Sequence, residues 1–169
     1  MKSILPITAA VVAFLGSPVN AAEGDSFNQI EKGRYIAVLG DCTACHTTPG
    51  GKLFAGGVAI DTPFGRLVGA NITPDTATGI GRWTYDEFEE AMTKGHRPDG
   101  SKLYGAMPFT AYTKVTRDDN RALWEYLKTV QPVRNEVVTN QLPFPFNVRM
   151  SLYGWNLSQL QERGVRAYT

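Results

Sequence analysis

Asp41-Cys42-Thr43-Ala44-Cys45-His46 is the stretch on which the reading of this chain turns. Its core, C-x-x-C-H, is the attachment sequence for c-type haem. Two thiols on one turn can add to the two vinyl groups of a porphyrin, and the imidazole beside the second thiol is then held beneath the iron as an axial ligand. Two other chemistries use closely spaced cysteines. A thioredoxin-type dithiol follows a strand and opens a helix, whereas this motif follows a helical pattern and runs into Thr47-Thr48-Pro49-Gly50-Gly51. A four-ligand zinc site would have to use both Cys and both His of the chain, with adjacent Cys45 and His46 on one metal. One covalent haem is the reading that fits.

Three helices are expected around the motif. Ser26 and Gln29 form an S-x-x-Q capping box ahead of Phe27, Ile30, Tyr35, Ile36, Val38 and Leu39, and Gly40 stands where a C-terminal cap belongs, which predicts a helix over 27–39. Thr84 and Glu87 repeat the box, Phe88, Ala91 and Met92 supply an apolar face and Gly95 closes it, which predicts 85–94. Thr116 caps a third helix over 117–130, with Asp118 and Asp119 at the positive end of its dipole and Leu123, Tyr126, Leu127 and Val130 at i, i+3, i+4, i+7. Between the first two lie a Gly-rich stretch and one short hairpin, Val58-Ala59-Ile60 against Arg66-Leu67-Val68. Leu142-Pro143-Phe144-Pro145-Phe146 suits neither a helix interior nor a central strand, and reads as an extended segment laid on the surface. Leu152, Trp155, Leu157 and Leu160 could line a short final helix.

Composition narrows the classes. A chain of 169 residues suits one domain, and 43% apolar content with 11% aromatics is enough to fold. Lys and Arg number 17 against 16 Asp and Glu, so the basic excess that nucleic-acid binding requires is missing. At the N-terminus, Lys2, the apolar run Ile4–Leu15, Gly16-Ser17-Pro18 and small Val19-Asn20-Ala21 read as a secretory signal peptide spanning 1–22, cleaved after Ala21 or Ala22. The run falls short of the roughly 20 residues that a spanning helix needs. Its removal takes Lys2 and no acid, leaving 16 charges of each sign. Export agrees with haem attachment, which in bacteria takes place outside the cytoplasm. The expected organisation is a domain over 23–133 and an extended C-terminal segment, 134–169, packed on it.

The second axial ligand decides what the haem does. Met opposite His raises the potential and fills the sixth position, which favours electron transfer over oxygen or peroxide chemistry. Met92 lies on an apolar helix face and suits packing; Met150 sits between Arg149 and Ser151 in the tail; His96 follows Gly95 and precedes Arg97-Pro98-Asp99-Gly100, a solvated turn. Met107 lies in the non-helical stretch Leu103-Tyr104-Gly105-Ala106-Met107-Pro108-Phe109, where Pro108 stiffens the backbone beside the sulfur. His46 and Met107 are therefore the expected iron ligands.

The order helix, C-x-x-C-H, long loop, Met loop, closing helix resembles a class I cytochrome c. In that all-α fold three to four helices surround one covalent haem, here with a short hairpin after the motif. Its first and last helices cross closely, so Gly33 and the Tyr35/Val38 face should meet Leu123, Tyr126 and Leu127. Gly33-Arg34-Tyr35, Phe54-Ala55-Gly56-Gly57, Thr62-Pro63-Phe64-Gly65, Asn71-Ile72-Thr73-Pro74-Asp75, Thr78-Gly79-Ile80-Gly81-Arg82-Trp83-Thr84, Ala106-Met107-Pro108-Phe109 and Phe144-Pro145-Phe146-Asn147 narrow the likeness. They are similar to the first haem domain of the cytochrome c subunit of bacterial membrane-bound alcohol, aldehyde and gluconate dehydrogenases, from about Gly33 to Asn156.

That resemblance implies a periplasmic one-electron carrier, peripheral to the membrane if attached at all. A dehydrogenase oxidising an alcohol, aldehyde or sugar would be the donor, and another cytochrome, quinone or terminal oxidase the acceptor. It also implies that Asn71 and Trp83 lie near the haem propionates, with core packing the rival for Trp83. Members of that family usually carry three C-x-x-C-H domains, whereas this chain has one, and Gly105 stands where they usually have Pro. Two rival readings follow: a haem enzyme or gas sensor from which Met107 is displaced, and the first domain of a truncated three-haem chain.

Overall fold

The structure is a computed structural model and describes residues 21–154. The expected signal peptide, apart from Ala21 and Ala22, lies outside the described residues, as do Trp155, Leu157 and Leu160. Seven elements follow in order: α1 (Ala21–Leu39), α2 (Cys42–His46), β1 (Ala59–Thr62), β2 (Gly65–Val68), α3 (Tyr85–Lys94), α4 (Phe109–Tyr112) and α5 (Arg117–Thr129). Residues 151–154 form a further helical turn.

The two amphipathic helices end where their local chemistry says. At α3 the Thr84 hydroxyl accepts from the Glu87 N–H while the Glu87 carboxylate accepts from the Thr84 N–H, and Gly95 closes the helix at φ 65°. At α5 the Thr116 hydroxyl accepts from the Asp119 N–H, and Val130 leaves the helix one residue earlier than expected. Pro132 stands two residues on and bars continuation. α1 departs further from expectation. It already runs through Ala21, Ala22 and Glu23, good helix formers, so Ser26 lies inside it and is no N-cap. Its end is turned by Asp41 in the left-handed region at φ 48°, a conformation Asp tolerates, while the Gly40 N–H still bonds to the Ile36 carbonyl at 2.8 Å.

α1 and α5 share the most extensive contact between elements. A Cβ on Gly33 would collide with the Ala122 carbonyl oxygen and fall 2.7 Å from Tyr126 Cβ, so only glycine admits this approach. The face turned to α5 corrects the expectation. Ile36 and Ala37, at i+3 and i+4 from Gly33, pack inward, whereas Tyr35 is 60% and Val38 68% exposed. Apolar side chains occur all round α1, so periodicity could not single out the buried face.

Below the crossing, Ala37, Phe54, Ile80, Tyr85, Phe88, Met92, Leu123, Trp124 and Leu127 form one buried cluster. The hairpin pairs β1 and β2 antiparallel, with Ile60 opposite Leu67 and Pro63-Phe64 between the strands. On the open side of β2, Arg66 exchanges both backbone bonds with Gln141, at 2.9 and 2.8 Å, and Asn140 Oδ1 accepts from the Val68 N–H. Residues 131–140 carry no helix or strand, and the chain beyond them ties back through Arg149, which donates to the Lys102 carbonyl, and Tyr153, which donates to that of Gly100.

Candidate haem site

The motif forms its own short helix. α2 begins at Cys42 and ends at His46, so both thiols and the imidazole leave one and a half turns of backbone. Both cysteines are free thiols and partly exposed. Burial pushes the Cys42 thiol above its usual range, and neighbouring Asp41 and Cys45 push the same way, which favours the protonated form. Helix α1 precedes the motif, not a strand, which is not the setting of a thioredoxin dithiol. Among the described residues no group of three or more His, Cys, Asp or Glu could hold a metal ion, so the zinc alternative finds no ligand set there.

His46 is oriented by a carbonyl distant in sequence. Its Nδ1 lies 2.7 Å from the Ala70 oxygen, and since a carbonyl can only accept, Nδ1 carries the proton and Nε2 keeps its lone pair. Burial lowers the imidazole pKa, only partly offset by that hydrogen bond, so the neutral ligating form is favoured. The carbonyl is fixed in turn by close contacts. A Cβ on Gly69 would overlap the Cys45 oxygen, so the chain at 69–70 lies directly against α2. The Gly56 N–H bonds to the His46 carbonyl, and Thr47 Oγ1 accepts from the N–H of Phe54, a fully buried residue held at φ 60°.

Asn71 follows Ala70 and is buried. Its amide donates to Thr78 Oγ1 at 3.0 Å and to the Val133 carbonyl at 2.8 Å, while its oxygen accepts from the Thr73 N–H and hydroxyl. Both amide protons are therefore bonded within the protein. Asn71 is thus the knot that holds the 70–73 backbone, and with it the Ala70 carbonyl, in place. Trp83 is half-buried against the core cluster.

Met107 and Cys42 border that same cluster, as does Tyr112 from α4. The Met107 N–H bonds to the Tyr104 carbonyl and its own carbonyl accepts from the Phe109 N–H, which makes a tight local loop. The other strong ligands are otherwise engaged. Met92 is packed in the core, Met150 is 75% exposed, and His96 lies 3.5 Å from the Glu90 carboxylate in an outer turn. Sequence reasoning missed Ala70 and Tyr112, and quoted Phe54 only as part of the Phe54-Ala55-Gly56-Gly57 motif without a place at the site. The glycines at 56, 57 and 69 were the available signal that backbone segments approach one another here.

A C-x-x-C-H turn with two reduced thiols and an imidazole presenting Nε2 is a donor set that fits a covalent haem. The cytochrome c family model matches residues 30–131. The chain belongs to the cytochrome c family. Three curated relatives add detail. This cytochrome is 51% identical over 132 residues to a subunit of the nicotinate dehydrogenase of Pseudomonas putida, a match that covers 78% of this chain and 11% of that protein. It is 44% identical over 131 residues to the fructose dehydrogenase cytochrome subunit of Gluconobacter japonicus, 76% of this chain and 27% of that one. It is 40% identical over 152 residues to the cytochrome c subunit of the quinone alcohol dehydrogenase of Gluconacetobacter polyoxogenes, covering 89% and 32%. The chain thus spans a third or less of each of these relatives. Family membership carries the class I cytochrome c fold and a covalently bound haem c.

Proposed function

We propose that this cytochrome is an exported single-haem electron carrier and not itself an enzyme. Cys42 and Cys45 would form the two thioether links, and His46 and Met107 would be the axial ligands. Bound there, the haem supplies reversible one-electron chemistry at iron. The chain's own part is to orient His46 through Ala70, to present both thiols from one short helix, and to press Met107 against the apolar cluster so that water and oxygen are excluded. The single observation that carries the reading is the His46 Nδ1 bond to Ala70, which leaves Nε2 free for a metal next to two free thiols.

The named relatives are subunits of nicotinate, fructose and alcohol dehydrogenases, which supports a periplasmic dehydrogenase as electron donor. A further cytochrome, a quinone or a terminal oxidase would accept. The test is anaerobic mixing of the oxidised holoprotein with a dehydrogenase encoded beside it and that enzyme's substrate. Reduction of one haem per chain at a rate that follows dehydrogenase concentration is expected. Failure of any neighbouring dehydrogenase to reduce it, or rapid carbon monoxide binding by the reduced protein, overturns the reading.

A further inference from the structure

The segment that carries Met107 has little to hold it from within. Between the end of α3 and α4 it forms only local turns and the His96–Lys102 bridge, and α4 is a single turn of four residues, too short to be stable alone. Two side chains of α4 anchor it. Phe109 is fully buried and packs against Gly95, the cap of α3. Tyr112 reaches the start of the haem-binding turn, and its hydroxyl donates to the Gly40 carbonyl at 2.9 Å. Gly40 joins the end of α1 to the haem-binding turn. A Cβ on Gly40 would lie 3.4 Å from Cys42 Sγ and 3.5 Å from Tyr112 Oη, so hydroxyl and thiol flank the same atom.

We propose that Tyr112 is a positioning residue for Met107: its hydroxyl ties the segment bearing the axial sulfur directly to the segment bearing the two thioether cysteines. The Gly40 carbonyl stands just past the end of α1, where carbonyls lack an intrahelical partner, so the bond also satisfies an orphan acceptor. Burial, together with Cys42, Cys45 and Asp41, holds the phenol above its usual pKa, so it remains a donor throughout the neutral range. Tyr85 provides the contrast. Its hydroxyl donates to the Arg117 carbonyl at 2.8 Å, with a Glu89 carboxylate oxygen at 3.2 Å, a bond that joins α3 to α5 and not the two halves of the site; Phe at this position removes the hydroxyl alone and keeps the ring in the cluster that Met107 borders.

This inference rests on Met107 as the iron ligand, and the experiment separates the two. Wild type, Tyr112→Phe and Tyr85→Phe holoproteins are compared by the Met–iron absorption band of the oxidised form, by reduction potential, and by the rate of carbon monoxide binding to the reduced form. Each is normalised to haem. Loss of one hydrogen bond should raise the Met-dissociated population, and with it the carbon monoxide rate, roughly two- to tenfold in Tyr112→Phe, with a weaker band and a lower potential. Tyr85→Phe should lose stability by a similar amount and change none of the three. Equal readings for the two variants overturn the inference. A wild type without the Met–iron band overturns the Met107 assignment instead. If Tyr112→Phe yields no holoprotein, Tyr112→Trp, which keeps an N–H donor, replaces it: a retained band supports the tie and a lost band contradicts it.

Discussion

The two sides of the haem site are held by different physics. Cys42, Cys45 and His46 leave a short helix fastened to α1, and α1 is locked to α5 by backbone contact at Gly33 and by the Ala37–Leu123–Leu127 packing beside it. Met107 instead sits in a loop of local turns, fastened by Phe109, Tyr112 and the returning tail. The first side is held by a helix crossing in which backbones meet at Gly33 and side chains pack on either side of it. The second side depends on single side chains, each a small increment. If Cys42, Cys45 and His46 hold the haem and Met107 is its sixth ligand, as proposed, the first set of attachments would depend on the helix crossing and the sixth on single side chains.

The comparison is broken most severely at the crossing. Gly33→Val must push α1 off the Ala122 carbonyl and should cost about 3 kcal/mol in denaturant unfolding; a loss under about 1 kcal/mol would mean that the helices do not need this approach. The same side can be strengthened. Asn120 is fully buried in α5 and neither its amide nitrogen nor its oxygen has a partner among the described residues, so Asn120→Leu should raise stability by about 1–2 kcal/mol. A destabilised variant would show that an internal water satisfies the amide.

The smallest effect concerns Lys32 and Asp119, whose ammonium and carboxylate meet at 2.7 Å between α1 and α5. Bonds from Lys32 and Thr116 hold the Asp119 carboxyl below its usual range. Its contribution is therefore present above about pH 4, the unfolded value, and is lost as pH falls through the lower folded value. Because both groups are partly exposed, Asp119→Asn should cost only about 0.5 kcal/mol at pH 7 and nothing near pH 2. A difference that persists in acid would assign the effect to the Asp119 bond with Thr116 and not to charge.

What the amino-acid sequence made legible follows the range of each interaction. α3 was readable to the residue because its box, apolar face and Gly95 cap lie within a dozen positions. The inward face of α1 was not, because Phe27, Tyr35, Val38 and Leu39 are apolar and exposed while Ile36 and Ala37 face the core. Cys42, Cys45 and His46 were evident as a group because their chemistry demands that spacing. Ala70 and Tyr112 were not, since they act over 24 and 72 residues through bonds that no local pattern encodes. Asn71 was singled out through the family resemblance, while its bonds to Thr78 and Val133, the latter 62 residues away, were not legible in any local pattern.

The central claim, a covalent haem ligated by His46 and Met107, is tested most directly by the spectra of purified wild type and Met107→Ala. The account predicts a low-spin wild type with Met–iron absorption that does not bind carbon monoxide when reduced, and a variant that keeps its covalent haem, loses that band and binds carbon monoxide rapidly. A wild type that is high-spin, or a band that survives in Met107→Ala, would contradict it.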